Sequence, residues 1–190
     1  MASGLYCTWS HRNGLPAGLR SRFRDLDDYL RTLTSSAKSR LLMVSPYLSA
    51  SGMGSLRGAI ATSAQQGAWV RLVTSDLDNS GTANRRAITA LLKGEDGDLI
   101  RQRLRVLKVS KSQLLNGLIH AKCIVVDGKR GYLGSANFSM SGLERNLELG
   151  VALSTEEAAA LDALITHLEA HGDLDDCTST ITVAEDRPIR

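Results

Sequence analysis

The chain has 190 residues, of which 43% are hydrophobic and 23% are charged, and its formal net charge is +3. These values are typical of one globular domain that buries its own core. No apolar run approaches the length of a membrane span, and the N-terminus lacks the apolar core of a secretory signal. The three cysteines have no metal-type spacing. We therefore expect a cytoplasmic protein without a membrane anchor.

Hydrophobic periodicity predicts a single domain over residues 1–190, with an irregular segment at 1–18 and an acidic, irregular tail at 173–190. The predicted helices lie, in chain order, at 21–37, 55–66, 82–93 and 155–171, the last with Thr155 as its N-cap. The predicted strands lie at 41–45, 69–74, 104–109, 119–126, 132–135 and 147–153, with one further edge strand considered at 180–183. Strands that alternate with helices and then form a hairpin indicate an α/β fold with a mixed central sheet flanked by helices.

Charge is distributed unevenly along the chain. Residues 85–130 hold eleven Lys or Arg against four Asp or Glu, whereas residues 144–190 hold three against eleven. The basic middle favours a polyanionic partner, although a solvated helix face and a solvated tail would give the same counts. Arg101, Arg103 and Arg105 would share one face and follow a phosphodiester backbone if their segment is extended, but they would scatter if it is helical.

One motif carries most of the functional information. Residues 120–137 read HAKCIVVDGKRGYLGSAN, which is the pattern H-x-K-x4-D-x6-G-S-x-N. On a strand, His120 and Lys122 point to the same side, and a tight turn then brings Ser135 and Asn137 back beside them. An imidazole, an ammonium, a hydroxyl and an amide together suit a tetrahedral phosphoryl group, because they combine a nucleophile with hydrogen-bond donors.

Residues next to this motif have supporting roles. Glu148 could accept a hydrogen bond from Nδ1–H of the motif histidine, which would turn Nε2 toward phosphorus. Asp127 has the opposite strand parity and is expected to brace the backbone at the turn, where Gly134 completes the structural part of the motif. His167 and His171 are four residues apart on one helix, but no third ligand has convincing spacing, so we expect no metal or other cofactor.

The motif resembles the HKD signature of the phospholipase D superfamily, and Glu148 lies where that family usually carries an acidic partner for its histidine. The resemblance extends over residues 38–170 in organisation and is most specific over 120–148. It implies a phospholipase D-like fold and metal-independent phosphodiester hydrolysis, in which one histidine forms a phosphohistidine and a second protonates the leaving oxygen. The catalytic residues that it implies are His120, Lys122, Ser135, Asn137 and Glu148.

Members of that family bring two motifs together, whereas this chain has one, so the resemblance implies a homodimer with a composite site. The basic middle favours nucleic acid, DNA more than RNA, and hence an endonuclease. Two alternatives remain open: a phospholipase or phosphatidyl transferase, and a nucleic-acid-binding subunit with a weak site. Similar bacterial proteins act in antiviral defence, including the phospholipase D-like component of the DISARM system, which leaves a larger defence complex open as a partner.

Overall fold

The computed structural model describes residues 4–9, 16–110 and 119–181. Within these ranges one sheet contains the strands β1 Leu5–Cys7, β2 Arg24–Asp25, β3 Arg40–Val44, β4 Trp69–Thr74, β5 Leu104–Val109, β6 Cys123–Val126, β7 Arg130–Gly134, β8 Leu149–Leu153 and β9 Leu174–Asp176. The α-helices of the same ranges are α1 Ala17–Arg20, α2 Leu26–Ser35, α3 Ala50–Gln65, α4 Ala83–Leu91, α5 Gly97–Arg103 and α6 Thr155–Ala170. None of these helices combines the length and the apolarity needed to cross a membrane.

The sheet is mixed, with the strand order β2-β1-β8-β7-β6-β3-β4-β5-β9. Strands β3, β4 and β5 are parallel, and helices connect them, as crossover connections require. Strands β6, β7 and β8 form an antiparallel meander that joins the parallel part through the β3–β6 pair. This arrangement confirms the predicted mixed α/β fold flanked by helices.

Helices cover both faces of the central strands. Leu41 and Met43 of β3 pack in the core formed with α2, α3, α4 and α5, whereas Leu42 and Val44 pack in a second core against α6. Because successive side chains of a strand point to opposite faces, burial on both faces produces an unbroken apolar run. That is why residues 41–44 read as a buried strand in the sequence.

Several predicted boundaries were wrong. The Ser- and Gly-rich stretch before residue 55 is not a loop throughout, because α3 begins at Ala50, where the Ser49 side chain accepts a hydrogen bond from the backbone N–H of Gly52. Helix α5 was missed altogether. Helix α6 is capped by Ser154, not Thr155, through reciprocal hydrogen bonds with Glu157.

The two chain ends are less irregular than predicted. Strand β1 lies within the N-terminal segment expected to be irregular, and it pairs with β8. Strand β9 lies within the expected acidic tail and pairs with β5. The edge strand of this tail is therefore earlier in the chain than the one considered at 180–183. Residues 182 and 183 lie outside the described residues. These strands are short, and they depend on partners that are far away in sequence, which periodicity cannot detect.

The register of the sheet places the motif at one end of the strands. Val44 pairs with Cys123, Leu133 also pairs with Cys123, and Gly134 pairs with Gly150. Four residues therefore lie at the same edge of the sheet, which we call the motif edge. They directly follow β3 and β7 and directly precede β6 and β8. These residues are Ser45, Lys122, Ser135 and Glu148.

Candidate active site

His120 and Lys122 lie at the motif edge, just before β6. The predicted strand over 119–126 starts later than expected, at Cys123, although the Lys122 carbonyl still accepts a hydrogen bond from Gly134 N–H at 3.1 Å. The Lys122 Nζ lies 2.8 Å from Nδ1 of His120 and 2.9 Å from the His120 carbonyl oxygen. His120 is exposed, whereas Lys122 is only 7% exposed. The side chains therefore meet as predicted, but the pair is not held by a regular strand.

Lys122 is in an environment that disfavours its charge. Burial lowers the pKa of its ammonium, and the nearby Glu148 carboxylate opposes that shift. A buried ammonium loses hydration that must be replaced by anions or acceptors. The lysine thus forms a site at which a phosphoryl oxygen would be stabilised.

Glu148 contacts different partners from those predicted. Its Oε2 accepts a hydrogen bond from the Ser135 hydroxyl, and its Oε1 accepts one from the Asn146 amide at 3.3 Å. Among the described residues, no hydrogen bond joins Glu148 to His120. The expected carboxylate–imidazole bond is therefore absent within one protomer, where the imidazole is engaged by Lys122 instead.

Ser135 also departs from the predicted role of phosphate donor. Its hydroxyl donates to Glu148 and accepts from Leu149 N–H at 3.1 Å. A hydroxyl has one hydrogen to donate, so in this geometry that hydrogen is committed to the carboxylate. Ser135 positions Glu148, and only Lys122 and Asn137 of the predicted donors remain for an oxyanion.

Asn137 contacts a residue that sequence reasoning did not identify. Its Oδ1 lies 3.4 Å from Oγ of Ser45, which is fully buried at the end of β3. The same hydroxyl donates to the Tyr47 carbonyl at 2.9 Å and accepts from Phe138 N–H at 3.2 Å. The Ser45 hydroxyl has one hydrogen and the Tyr47 carbonyl is its nearer acceptor, so Ser45 places the Asn137 amide at this edge without satisfying its oxygen.

Thr8 holds the backbone around Glu148. Its hydroxyl donates to the Asn146 carbonyl at 2.7 Å and accepts from Glu148 N–H at 3.0 Å. Its own N–H donates to the Glu148 carbonyl at 3.2 Å. Thr8 is 140 residues from Glu148 in sequence and has no motif of its own, so nothing in the sequence could have linked the two.

Tyr132 fills the space beneath the motif edge. It is fully buried, burial raises the pKa of its phenol, and its hydroxyl accepts from Ala136 N–H at 3.4 Å. A Cβ on Gly134 would lie 2.2 Å from the Tyr132 hydroxyl, and one on Gly150 would lie 2.1 Å from its ring. The glycine of the motif is therefore required for close packing over this ring.

Asp127 braces the turn between β6 and β7. Its Oδ1 accepts hydrogen bonds from the backbone N–H groups of Ser39 and Arg40 at 2.8 and 2.9 Å, and from the Ser39 hydroxyl. Burial alone would raise its pKa, but these donors and Lys38 N–H lower the pKa to about 2. Asp127 lies at the end of β6 opposite to His120 and has no contact with the candidate site.

The three arginines considered as phosphate-binding residues are not brought to the motif edge. Arg101 and Arg103 lie on α5, before β5, so the extended arrangement does not occur. Arg103 stacks over Trp69, which starts β4 at the far end of the sheet. Arg105 binds Glu169 and Asp176 at 2.6 and 2.8 Å. Their predicted contact with substrate near His120 has no support in this geometry.

Comparison with known proteins identifies the family of the chain. Residues 30–170 match the family model for the cardiolipin synthase, PLD-like domain. The match covers well over half of the chain, and the chain therefore belongs to the phospholipase D-like family, as the motif indicated.

Individual proteins show the same likeness. The chain is 32% identical to cardiolipin synthase A of Escherichia fergusonii and 31% identical to that of Pectobacterium carotovorum, each over 127 residues and 65% of this chain. The match spans only 23% of the length of each relative. Nuc from Salmonella typhimurium, a phospholipase D family member, has a TM-score of 0.61 at 18% identity, over 92% of this chain and 97% of that chain. NucT from Helicobacter pylori has a TM-score of 0.59 at 20% identity, over 92% and 98%.

Proposed function

We propose that the chain is a phosphodiesterase that hydrolyses nucleic acid at a composite site formed by two copies of the chain. One observation carries the proposal: the sheet brings a nearly buried ammonium, Lys122, against the exposed imidazole of His120. Asn137, which contacts Ser45, would supply its amide hydrogens at the same edge. The ammonium and the amide supply the positive field that stabilises charge on a phosphoryl group.

The proposed reaction has two steps. A phosphoryl oxygen attracts the Lys122 ammonium and releases His120 from its contact with Lys122. His120 Nε2 attacks phosphorus, the bond from phosphorus to the leaving oxygen breaks, and His120 of the partner subunit donates a proton to that oxygen. Water then attacks the phosphohistidine, the phosphorus–nitrogen bond breaks, and the water proton passes to His120 of the partner subunit.

A twofold assembly is proposed because the chain carries one HKD motif and the reaction uses two histidines. An apolar surface lies beside the motif edge. It consists of four leucine side chains that are each 38% to 53% exposed: Leu5, Leu133, Leu147 and Leu149. Contiguous exposed leucines favour a protein–protein contact. Self-association through this surface would bury them next to the site.

A nuclease assay in the presence of EDTA tests the function. We expect the wild type to cleave labelled DNA in EDTA and His120→Ala to lose at least about a thousand-fold in rate, as is typical when a nucleophile is removed. His167→Ala is the matched control, since His167 is exposed on α6 away from the motif edge. Unchanged cleavage by His120→Ala would contradict the proposal.

Lipid phosphodiester chemistry is the second candidate, because the curated relatives are named cardiolipin synthase A. The same histidine and lysine would serve a lipid phosphate. Phosphatidylglycerol liposomes assayed beside DNA separate the two functions. If the wild type releases glycerol and does not cleave DNA, and His120→Ala loses the glycerol release, then the substrate is lipid and not nucleic acid.

A further inference from the structure

We propose that Tyr47 is a specificity-determining residue of this site, whose ring stacks on the nucleobase next to the scissile phosphate. The ring of Tyr47 lies at the motif edge, with its centroid 6.1 Å from that of His120 and its plane at 80° to the imidazole. It is therefore an aromatic side chain in edge contact with the proposed nucleophile. This inference rests on the proposed nuclease function.

The backbone on both sides of Tyr47 is held rigidly. The buried Asn84 amide donates to the Pro46 carbonyl at 2.7 Å and accepts from Leu48 N–H at 2.7 Å. The Tyr47 carbonyl accepts from the Ser45 hydroxyl at 2.9 Å. The same hydroxyl lies 3.4 Å from Oδ1 of Asn137, so Tyr47 and Asn137 are both neighbours of one buried side chain.

The ring itself is left open to solvent. Tyr47 is 51% exposed, although Leu48 is 3% exposed and Pro46 is buried. A single exposed apolar side chain needs no explanation by itself. Here the fold presents the ring on a rigid loop beside a nucleophile, which is how a binding residue is preorganised.

The position of the ring indicates what it would bind. A phosphorus atom attached to the imidazole would carry an ester group within reach of the Tyr47 ring, whose centroid lies 6.1 Å from that of the imidazole. A planar base on that group gains a stacking contact, whereas an abasic sugar or an acylglycerol has no ring to stack. Tyr47 would thus favour single-stranded nucleic acid, whose bases are free to stack, over a lipid phosphodiester.

Two single-stranded DNA oligonucleotides test this inference. They have the same length and label, and in one of them every base is replaced by a tetrahydrofuran abasic residue. We expect Tyr47→Leu to raise KM at least about five-fold on the base-bearing strand, the lower end of a stacking contact, and to leave KM on the abasic strand unchanged. Tyr47→Phe keeps the ring and should keep the wild-type KM.

Trp69→Leu is the matched control, because Trp69 is 52% exposed at the far end of the sheet and its loss should change neither KM. An equal change on both strands with Tyr47→Leu, or no change on the base-bearing strand, would overturn the role of Tyr47 while leaving the nuclease function intact. A wild type that cleaves neither strand would overturn both proposals.

Discussion

Lys122 is a charged residue in surroundings that differ from water. Its side chain is nearly buried, and its ammonium contacts the His120 imidazole and donates to the His120 carbonyl instead of binding a carboxylate directly. Burial lowers its pKa for this reason. A bound phosphate would reverse the shift, since an adjacent anion favours the charged form. The free protein thus holds the Lys122 ammonium in a site where a bound anion would stabilise its charge.

Asp127 allows a prediction on stability. Asp127→Asn should lower the free energy of unfolding at pH 7 by about 1–2 kcal/mol, because the amide oxygen accepts from the same backbone donors without a negative charge. Asn also tolerates the backbone at this position, where φ is 55°. Urea denaturation of both proteins measures the difference.

The pH dependence of that difference has a defined sign. The folded-state pKa of about 2 lies below the ordinary value of 3.8, so the carboxylate stabilises the fold fully above about pH 4 and loses this effect as pH falls toward 2. The gap between wild type and Asp127→Asn should therefore be constant from pH 7 to 5 and should narrow below about pH 4. A gap that stays constant down to pH 3 would assign the effect to geometry instead of charge.

At the level of elements, the start of α3 and the segment after β7 form one unit. Leu48 pairs with Phe138 in an isolated bridge, Ser49 N–H donates to the Phe138 carbonyl at 3.2 Å, and the Ser49 hydroxyl accepts from Met140 N–H at 3.0 Å. Asn137 directly precedes this contact. Sequence reasoning placed the start of α3 too late. The true N-terminus of α3 therefore packs beside a residue of the candidate active site.

Glycines of α3 provide a paired test of this packing. A Cβ on Gly52 would lie 2.5 Å from the Phe138 carbonyl oxygen, so Gly52→Ala should cost about 1–3 kcal/mol of stability and lower activity by displacing Asn137. Gly58 lies on the exposed side of the same helix with nothing within 4 Å of a Cβ, so Gly58→Ala should gain about 0.5–1 kcal/mol from helix propensity. Thermal denaturation compares them, and shifts of the same sign would refute this account.

At the scale of the whole molecule, part of the charge asymmetry is compensated by ion pairs among the described residues. Arg71 binds Asp162 at 2.5 Å, and Arg105 binds Glu169 and Asp176. Acidic residues of α6 and β9 thus neutralise arginines of the parallel strands. The basic excess counted from the sequence therefore overstates the charge that a polyanion would meet, and the motif edge is the stronger argument for a phosphate ligand.

A composite site predicts how activity depends on subunit composition. Wild type and His120→Ala, mixed and allowed to exchange subunits, should show activity that falls with the square of the wild-type fraction, so that an equimolar mixture keeps about a quarter. The physical reason is that each site needs two intact imidazoles. Sedimentation velocity on the same samples verifies the dimer. A linear decrease, or full activity in a monomer, would rule out the composite site.

The amino-acid sequence by itself determined the mixed α/β class, the strands at 69–74 and 104–109, and the pairing of His120 with Lys122. These features depend on periodicity or on spacing within a few residues, which local sequence records. Only the tertiary structure decided that Glu148 binds Ser135, that Ser45 contacts Asn137, and that the arginines lie far from the motif. Each of these contacts joins segments that are distant in the chain. Packing decides which segments meet, and competition for a single hydroxyl hydrogen decides which acceptor is bound.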